Sequence, residues 1–209
     1  MTELDHLLWA APDLDEGLSI IGGLTGVTPA TGGSHPGFGT RNGLLSLGFA
    51  YLEIIAPDPS QDLEGNRGGQ IAALPCPGLL TFAVRTPDLA GFAAAARRAG
   101  LSVGAPVAMS RTRPDGVHLA WTVQRVESDA HPNLIPFAID WQGSPHPAIT
   151  TPAGCTLIDV AAFHPDPEAV AAIYAELHVR VDVRYAPRPG LTATLSSPRG
   201  TVSLNSPQG

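Results

Sequence analysis

Three segments of this chain repeat one pattern: an apolar, strand-like run, then Pro-Asp, then an alanine- or leucine-rich stretch. The first runs over 4–11, through Pro12-Asp13-Leu14, and on to about Leu24. The second runs over 79–86, Pro87-Asp88-Leu89 and 90–99. The third runs over 156–163 and, after His164, through Pro165-Asp166-Pro167 and 168–177. Asp13 and Asp88 stand 75 residues apart, and Asp88 and Asp166 stand 78 apart. Spacing this even between matching signals marks a repeated unit. Proline ends each strand, and the aspartate accepts hydrogen bonds from the first free N–H groups of the helix. In the second copy Leu89, Phe92, Ala93 and Ala96 fall on one face at helical spacing, and Gly100 sits where a C-terminal glycine cap belongs.

Strand-type sequence follows each helix. In the first copy, 43–48 and 51–55 flank a tight connection at Gly48-Phe49-Ala50. In the second, 106–112 and 117–125 flank Arg113-Pro114-Asp115-Gly116, a hairpin turn, and a further run follows over 134–141. The third copy offers 179–185, 192–196 and 201–204. Each copy reads β-α-β-β(-β). Hairpins argue against an all-parallel, doubly wound sheet. The glycines of 32–34 and 37–39 do not follow a strand and open a helix, so a dinucleotide site is a poor reading. Module 1 is expected over about 1–60 and module 2 over about 78–143. Together they make a paired body over 1–145, with a partial third module over 150–209.

All 12 basic residues are arginine, and the formal net charge is −7. Without lysine there is no Schiff base, P-loop lysine or lysine general base. No Lys/Arg stripe exists to neutralise phosphates, so a nucleic-acid partner is not expected. Cys76 and Cys155 lie far apart in unrelated contexts, which excludes a zinc ribbon or thioredoxin-type site and favours free thiols. The N-terminal residues are acidic, with no basic region leading into an apolar run, and no stretch approaches about 18 uninterrupted apolar residues. A soluble, cytoplasmic protein without a membrane partner is expected.

The motifs that stand out are Asp5-His6-Leu7-Leu8-Trp9-Ala10, the polar segment 35–42, the run 51–59 around Glu53, and 136–141. A duplicated βαβββ module with His6 on its first strand and Glu53 on its last resembles the vicinal oxygen chelate superfamily. That superfamily includes glyoxalase I and the extradiol dioxygenases, and the nearest likeness is to the glyoxalase-like domain group. The resemblance implies an α+β fold in which the first two βαβββ modules form a cupped eight-stranded barrel, with the third module alongside. It implies a divalent metal (zinc, manganese, iron or nickel) at the barrel floor and lyase, isomerase or dioxygenase chemistry. In that pattern the first and last strands of both modules supply metal ligands. His6 and Glu53 fill the positions in module 1, whereas Thr81 and Phe137 fall there in module 2. Two protein ligands make a poor catalytic metal site, where three are usual. Two readings stay open: a weak metal or acid–base pair with a third ligand from His35, His118 or the substrate, or a pocket from which metal has been lost.

The residues carry independent signals. Glu53 is flanked by Tyr51, Leu52, Ile54 and Ile55, so its strand is expected to be buried on both faces. A carboxylate there is costly unless paired, hydrogen-bonded, metal-bound or neutral; the plain alternative is an arginine partner. His6 is otherwise a core histidine, and its place in the module pattern gives it a metal or proton-exchange role. The segment 35–42 reads as a loop joining helix to strand, in which His35, Arg41 and Asn42 would contact substrate; the alternative is a solvated turn. Trp121 and Trp141 line a pocket or pack in the core. His131, His146 and His164 each precede proline and read as loop residues, and His178 as a surface residue at a helix end. No nucleophile–base pair is apparent. Three functions remain: a glyoxalase-like enzyme acting on a small oxygen-rich metabolite, an α-keto or vicinal-dioxygen compound; a non-catalytic small-molecule binding or sequestration protein; or a structural domain. A homodimer is compatible with all three.

Overall fold

The computed structural model describes residues 2–112 and 116–207. Module 1 comprises β1 (Glu3–Ala10), α1 (Leu14–Thr25), β2 (Ala30–His35), β3 (Thr40–Ser46) and β4 (Tyr51–Pro57), followed by a short helix α2 (Arg67–Ala72). Module 2 comprises β5 (Gly78–Arg85), α3 (Leu89–Arg98), β6 (Ser102–Val103), β7 (Val107–Thr112), β8 (His118–Gln124), β9 (Val126–Glu127) and β10 (Phe137–Asp140). A 3-10 turn, Pro147–Ile149, leads into module 3: β11 (Thr156–His164), α4 (Pro167–Glu176), β12 (Asp182–Tyr185), β13 (Gly190–Ser197) and β14 (Gly200–Asn205).

Strand order is β2-β3-β4-β1-β5-β10-β8-β7 in an eight-stranded sheet and β12-β11-β13-β14 in a four-stranded one; β6 pairs β9. Modules 1 and 2 repeat one internal order, β1-β4-β3-β2 and β5-β10-β8-β7, which is the α+β fold of duplicated βαβββ modules. The Pro-Asp signals do what their chemistry requires. Asp13, Asp88 and Asp166 are each the N-cap of a helix, accepting from the backbone N–H of Glu16, Gly91 and Ala169. Gly100 follows α3 with φ +77°, the left-handed conformation expected of it.

The chain forms two compact units, one from Met1–His6, Thr81–His146 and Ala161–Gly190, the other from Leu7–Leu80, Pro147–Val160 and Leu191–Gly209. In the second unit α1 packs on one face of β1, β3 and β4. A methyl group on Gly17 would come within 2.9 Å of both Ala11 and Ile54, and one on Gly43 within 2.3 Å of Leu18. In the first unit Phe82 and Tyr174 meet edge to face with centroids 6.0 Å apart, and Tyr174 donates to the Leu134 carbonyl at 2.6 Å. Arg98 of α3 pairs Glu176 of α4.

The structure departs from the sequence reading in several places. The segment 35–42 is not a helix-to-strand loop: residues 30–35 form β2, pairing antiparallel with β3 from Ala30↔Leu44 to His35↔Thr40. The run 134–141 shortens to β10, leaving Trp141 just past the strand, and in module 3 the run 179–185 shortens to β12. The expected hairpin turn at Arg113-Pro114-Asp115-Gly116 falls, for 113–115, outside the described residues. Among the described residues neither Cys76 nor Cys155 forms a disulfide. Among the described residues no helix is long and apolar enough to cross a membrane.

Candidate functional site

Glu53 lies in the middle of β4, six of whose seven residues are buried, and is itself only 7% exposed. Strand pairing sets its company. Asn42↔Ile55 and Leu44↔Glu53 are register partners, so Asn42 stands diagonally across from Glu53 on the same face. There Asn42 Nδ2 donates to Glu53 Oε1 at 2.6 Å. The Asn42 carbonyl oxygen accepts from the Gly33 N–H at 2.9 Å, which fixes the amide's orientation. Asn42 Nδ2 also lies 3.3 Å from His35 Nε2, and His35 Nδ1 lies 2.9 Å from Thr40 Oγ1. His35 Nε2 is 3.8 Å from Glu53 Oε1, so a proton gained there would create an imidazolium beside the carboxylate. A side chain on Gly32 would strike the Asn42 carbonyl oxygen at 2.1 Å; only glycine lets β2 lie this close.

The other unit holds a second buried carboxylate. Asp5 is fully buried, and three side-chain nitrogens converge on it: His6 Nδ1 at 2.6 Å, Trp141 Nε1 at 2.9 Å and His146 Nε2 at 3.0 Å. Burial alone would push this carboxyl up. The hydrogen bonds from His146 and His6, and the positive charge those rings can carry, outweigh it and hold the group well below the usual carboxylate range. Asp5 therefore fixes the ring of His6 through Nδ1, an arrangement that sets tautomer and orientation. Phe137 meets the His6 ring edge to face, centroids 5.6 Å apart.

Glu53, Asn42 and His35 are thus brought together in one unit, while His6 belongs to the other unit with Asp5, His146 and Trp141. Trp121 is half-buried in that same unit, its ring 5.6 Å from Trp141. Arg41 stands on the opposite face of β3 from Asn42, the face on which α1 packs, and His118 is exposed at the start of β8. From sequence, Asp5 stood out only as part of the Asp5-His6 motif, His146 read as a loop residue, and Trp141 was left between pocket and core. The signal available was an acid inside an apolar strand, the same one that marks Glu53. His146 lies 141 residues from Asp5, and nothing local links the two.

The profile of the Glyoxalase-like domain matches residues 4–178, most of the chain. The protein belongs to the glyoxalase-like domain family. Among curated proteins no sequence matches it. Among solved structures this glyoxalase-like chain is similar to a hypothetical protein from Staphylococcus aureus, with TM-score 0.68 and 15% identity over 100% of this chain and 87% of that one. It is also similar to a variant of Streptomyces coelicolor methylmalonyl-CoA epimerase in complex with 2-nitronate-propionyl-CoA. There the TM-score is 0.50 and the identity 20%, over 69% of this chain and 97% of that one. A methylmalonyl-CoA epimerase bound to methylmalonyl-CoA and NH4+ gives TM-score 0.50 and 21% identity over 69% and 99%. At these identities the likeness is one of fold, that of the vicinal oxygen chelate superfamily.

A divalent metal, common in that superfamily, needs three protein donors for a catalytic site. Among the described residues no group of three or more His, Cys, Asp and Glu side chains is placed to hold one. Thr81 and Phe137, at the module 2 ligand positions, supply no strong donor. The residues present do not fit a three-ligand catalytic centre.

Proposed function

We propose that this glyoxalase-like protein binds and transforms a small oxygen-rich metabolite, of the α-keto or vicinal-dioxygen class, with Glu53 as the group that moves a proton. The observation that carries the reading is a buried carboxylate held through one oxygen by Asn42 with an imidazole 3.8 Å away. A fixed carboxylate shielded from water can take a proton from a carbon next to a carbonyl, the electrons passing to the carbonyl oxygen as an enolate. Return of the proton to a different face or atom gives isomerisation. His35, next to the carboxylate, is the group through which that proton can be exchanged. Within its own unit His6, oriented by Asp5, is proposed as a separate acid–base residue. The protein is read as cytoplasmic, with a small molecule as its partner and a homodimer as its assembly.

The test is solvent-deuterium incorporation, followed by NMR, into pyruvate, hydroxyacetone and methylmalonyl-CoA, the last because fold neighbours were solved with such esters. Exchange into at least one compound is expected, with Glu53→Gln lowering it by about 10²-fold or more while the protein still melts cooperatively. Undiminished exchange in Glu53→Gln sinks the proposal. A second reading, sequestration without turnover, is favoured by Thr81 and Phe137 at the module 2 ligand positions. It expects Glu53→Gln to weaken binding of a compound that neither variant alters.

A further inference from the structure

Among the described residues, two guanidinium Nε atoms, those of Arg41 and Arg111, are shut from solvent without a hydrogen-bond partner. Buried polar atoms are nearly always satisfied, and one left unpaired costs about 1–3 kcal/mol, more when charged. Arg85, Arg98 and Arg184, by contrast, pair with Glu3, Glu176 and Asp182. Arg41 sits on the face of β3 that α1 covers. Arg111 is placed differently. It lies on β7, the terminal strand of the eight-stranded order. Along β7 Ala108 and Ser110 are exposed while Val107, Met109 and Arg111 are half-buried, so these three share the inward face. Register places Arg111 opposite buried Leu119 and Met109 opposite Trp121 on β8. The arginine fork is therefore flanked by a leucine, a thioether and an indole, all within one unit.

We infer that Arg111 anchors the oxyanion of a small ligand, a carboxylate or phosphate on a molecule whose apolar part lies against Met109 and Trp121. A guanidinium offers Nε and a terminal nitrogen as parallel donors, which match two oxygens of such a group. A ligand supplying them satisfies the orphaned Nε. Methionine and tryptophan provide an adaptable apolar wall that a second anionic end could not use. This inference goes beyond the proposed function: it gives the first unit a site for an anionic ligand, and it is tested apart from turnover.

The probes are phenylacetate, phenyl phosphate and methyl phenylacetate, none an α-keto compound, titrated by ligand-observed NMR. At least one anion should bind at least tenfold more tightly than the neutral ester, and which one does separates carboxylate from phosphate. Arg111→Gln should remove that preference, and Arg98→Gln, whose partner is Glu176, should leave it intact. If Arg111→Gln fails to fold, Arg111→Lys, which keeps charge but not the fork, should weaken the anion severalfold while melting as wild type does. Equal affinity for ester and acid, unchanged anion binding in the Arg111 variants, or no binding of any probe overturns the inference. Glu53→Gln should keep anion binding, so loss of proton exchange and loss of the anchor are separately visible.

Discussion

Asn42 joins three groups through one amide: the Gly33 N–H, the Glu53 carboxylate and the His35 ring. Replacing it with alanine leaves a buried carboxylate without that donor, at a cost of about 1–3 kcal/mol. Asn42→Ala should therefore lower stability by that amount in urea denaturation and lower proton exchange as well. Wild-type stability in the variant would mean Glu53 is held by other groups. Two further carboxyls shape the response to acid. Asp58 accepts from Ser34 first, then Gln61 and Ser60, and these bonds hold it well below its ordinary 3.8; Asp5 is likewise depressed. A folded-state pKa below the unfolded one contributes stability that is complete above about pH 4 and lost as pH falls toward the folded value. Melting temperature should accordingly be flat near neutrality and fall below about pH 4, and Asp58→Asn should make that fall shallower. An acid limb unchanged in Asp58→Asn would remove Asp58 from the explanation. Glu53 was legible from sequence because its neighbours alone dictate burial. Asp5 was not, because what holds its charge comes from Trp141 and His146, distant in the chain.

At the scale of elements, what sequence revealed divides by the range of the interaction. N-caps act over three residues, so Asp13, Asp88 and Asp166 announced three helices from local chemistry. Strand β2 gave no such notice. Ala-Thr-Gly-Gly-Ser-His has neither alternation nor β-branched content beyond one threonine, and it becomes a strand through pairing with β3. That pairing matters to the site, since it puts His35 beside Thr40 and Gly33 beside Asn42. Gly32→Ala should displace β2 from β3 and with it the Asn42 amide. Its expected signature is a loss of proton exchange approaching that of Asn42→Ala, with a melting temperature lowered. Asp88→Ala, by comparison, removes one cap from α3 and should cost about 1 kcal/mol with exchange unchanged. Equal effects of the two variants on exchange would show that β2 plays no special part.

Across the whole molecule, duplication of the βαβββ module has not duplicated its chemistry. The chain keeps His6 and Glu53 in module 1, while the corresponding strands of module 2 carry Thr81 and Phe137. Phe137 instead packs its ring against His6. Metal binding follows from counting donors. A bound metal at a hundred times its dissociation constant stabilises by about 2.7 kcal/mol, which for a chain this long is several degrees of melting temperature. With fewer than three convergent donors among the described residues, the protein purified without chelator should carry well under one zinc, manganese, iron or nickel per chain. Dialysis against EDTA should then leave both its melting temperature and its proton exchange unchanged. Near one metal per chain, lost together in His6→Ala and Glu53→Gln, would instead place a metal on those two residues and return the chain to the chelate chemistry of its superfamily. The two outcomes differ in stoichiometry, in melting and in the response to chelator, so no substrate need be known to tell them apart.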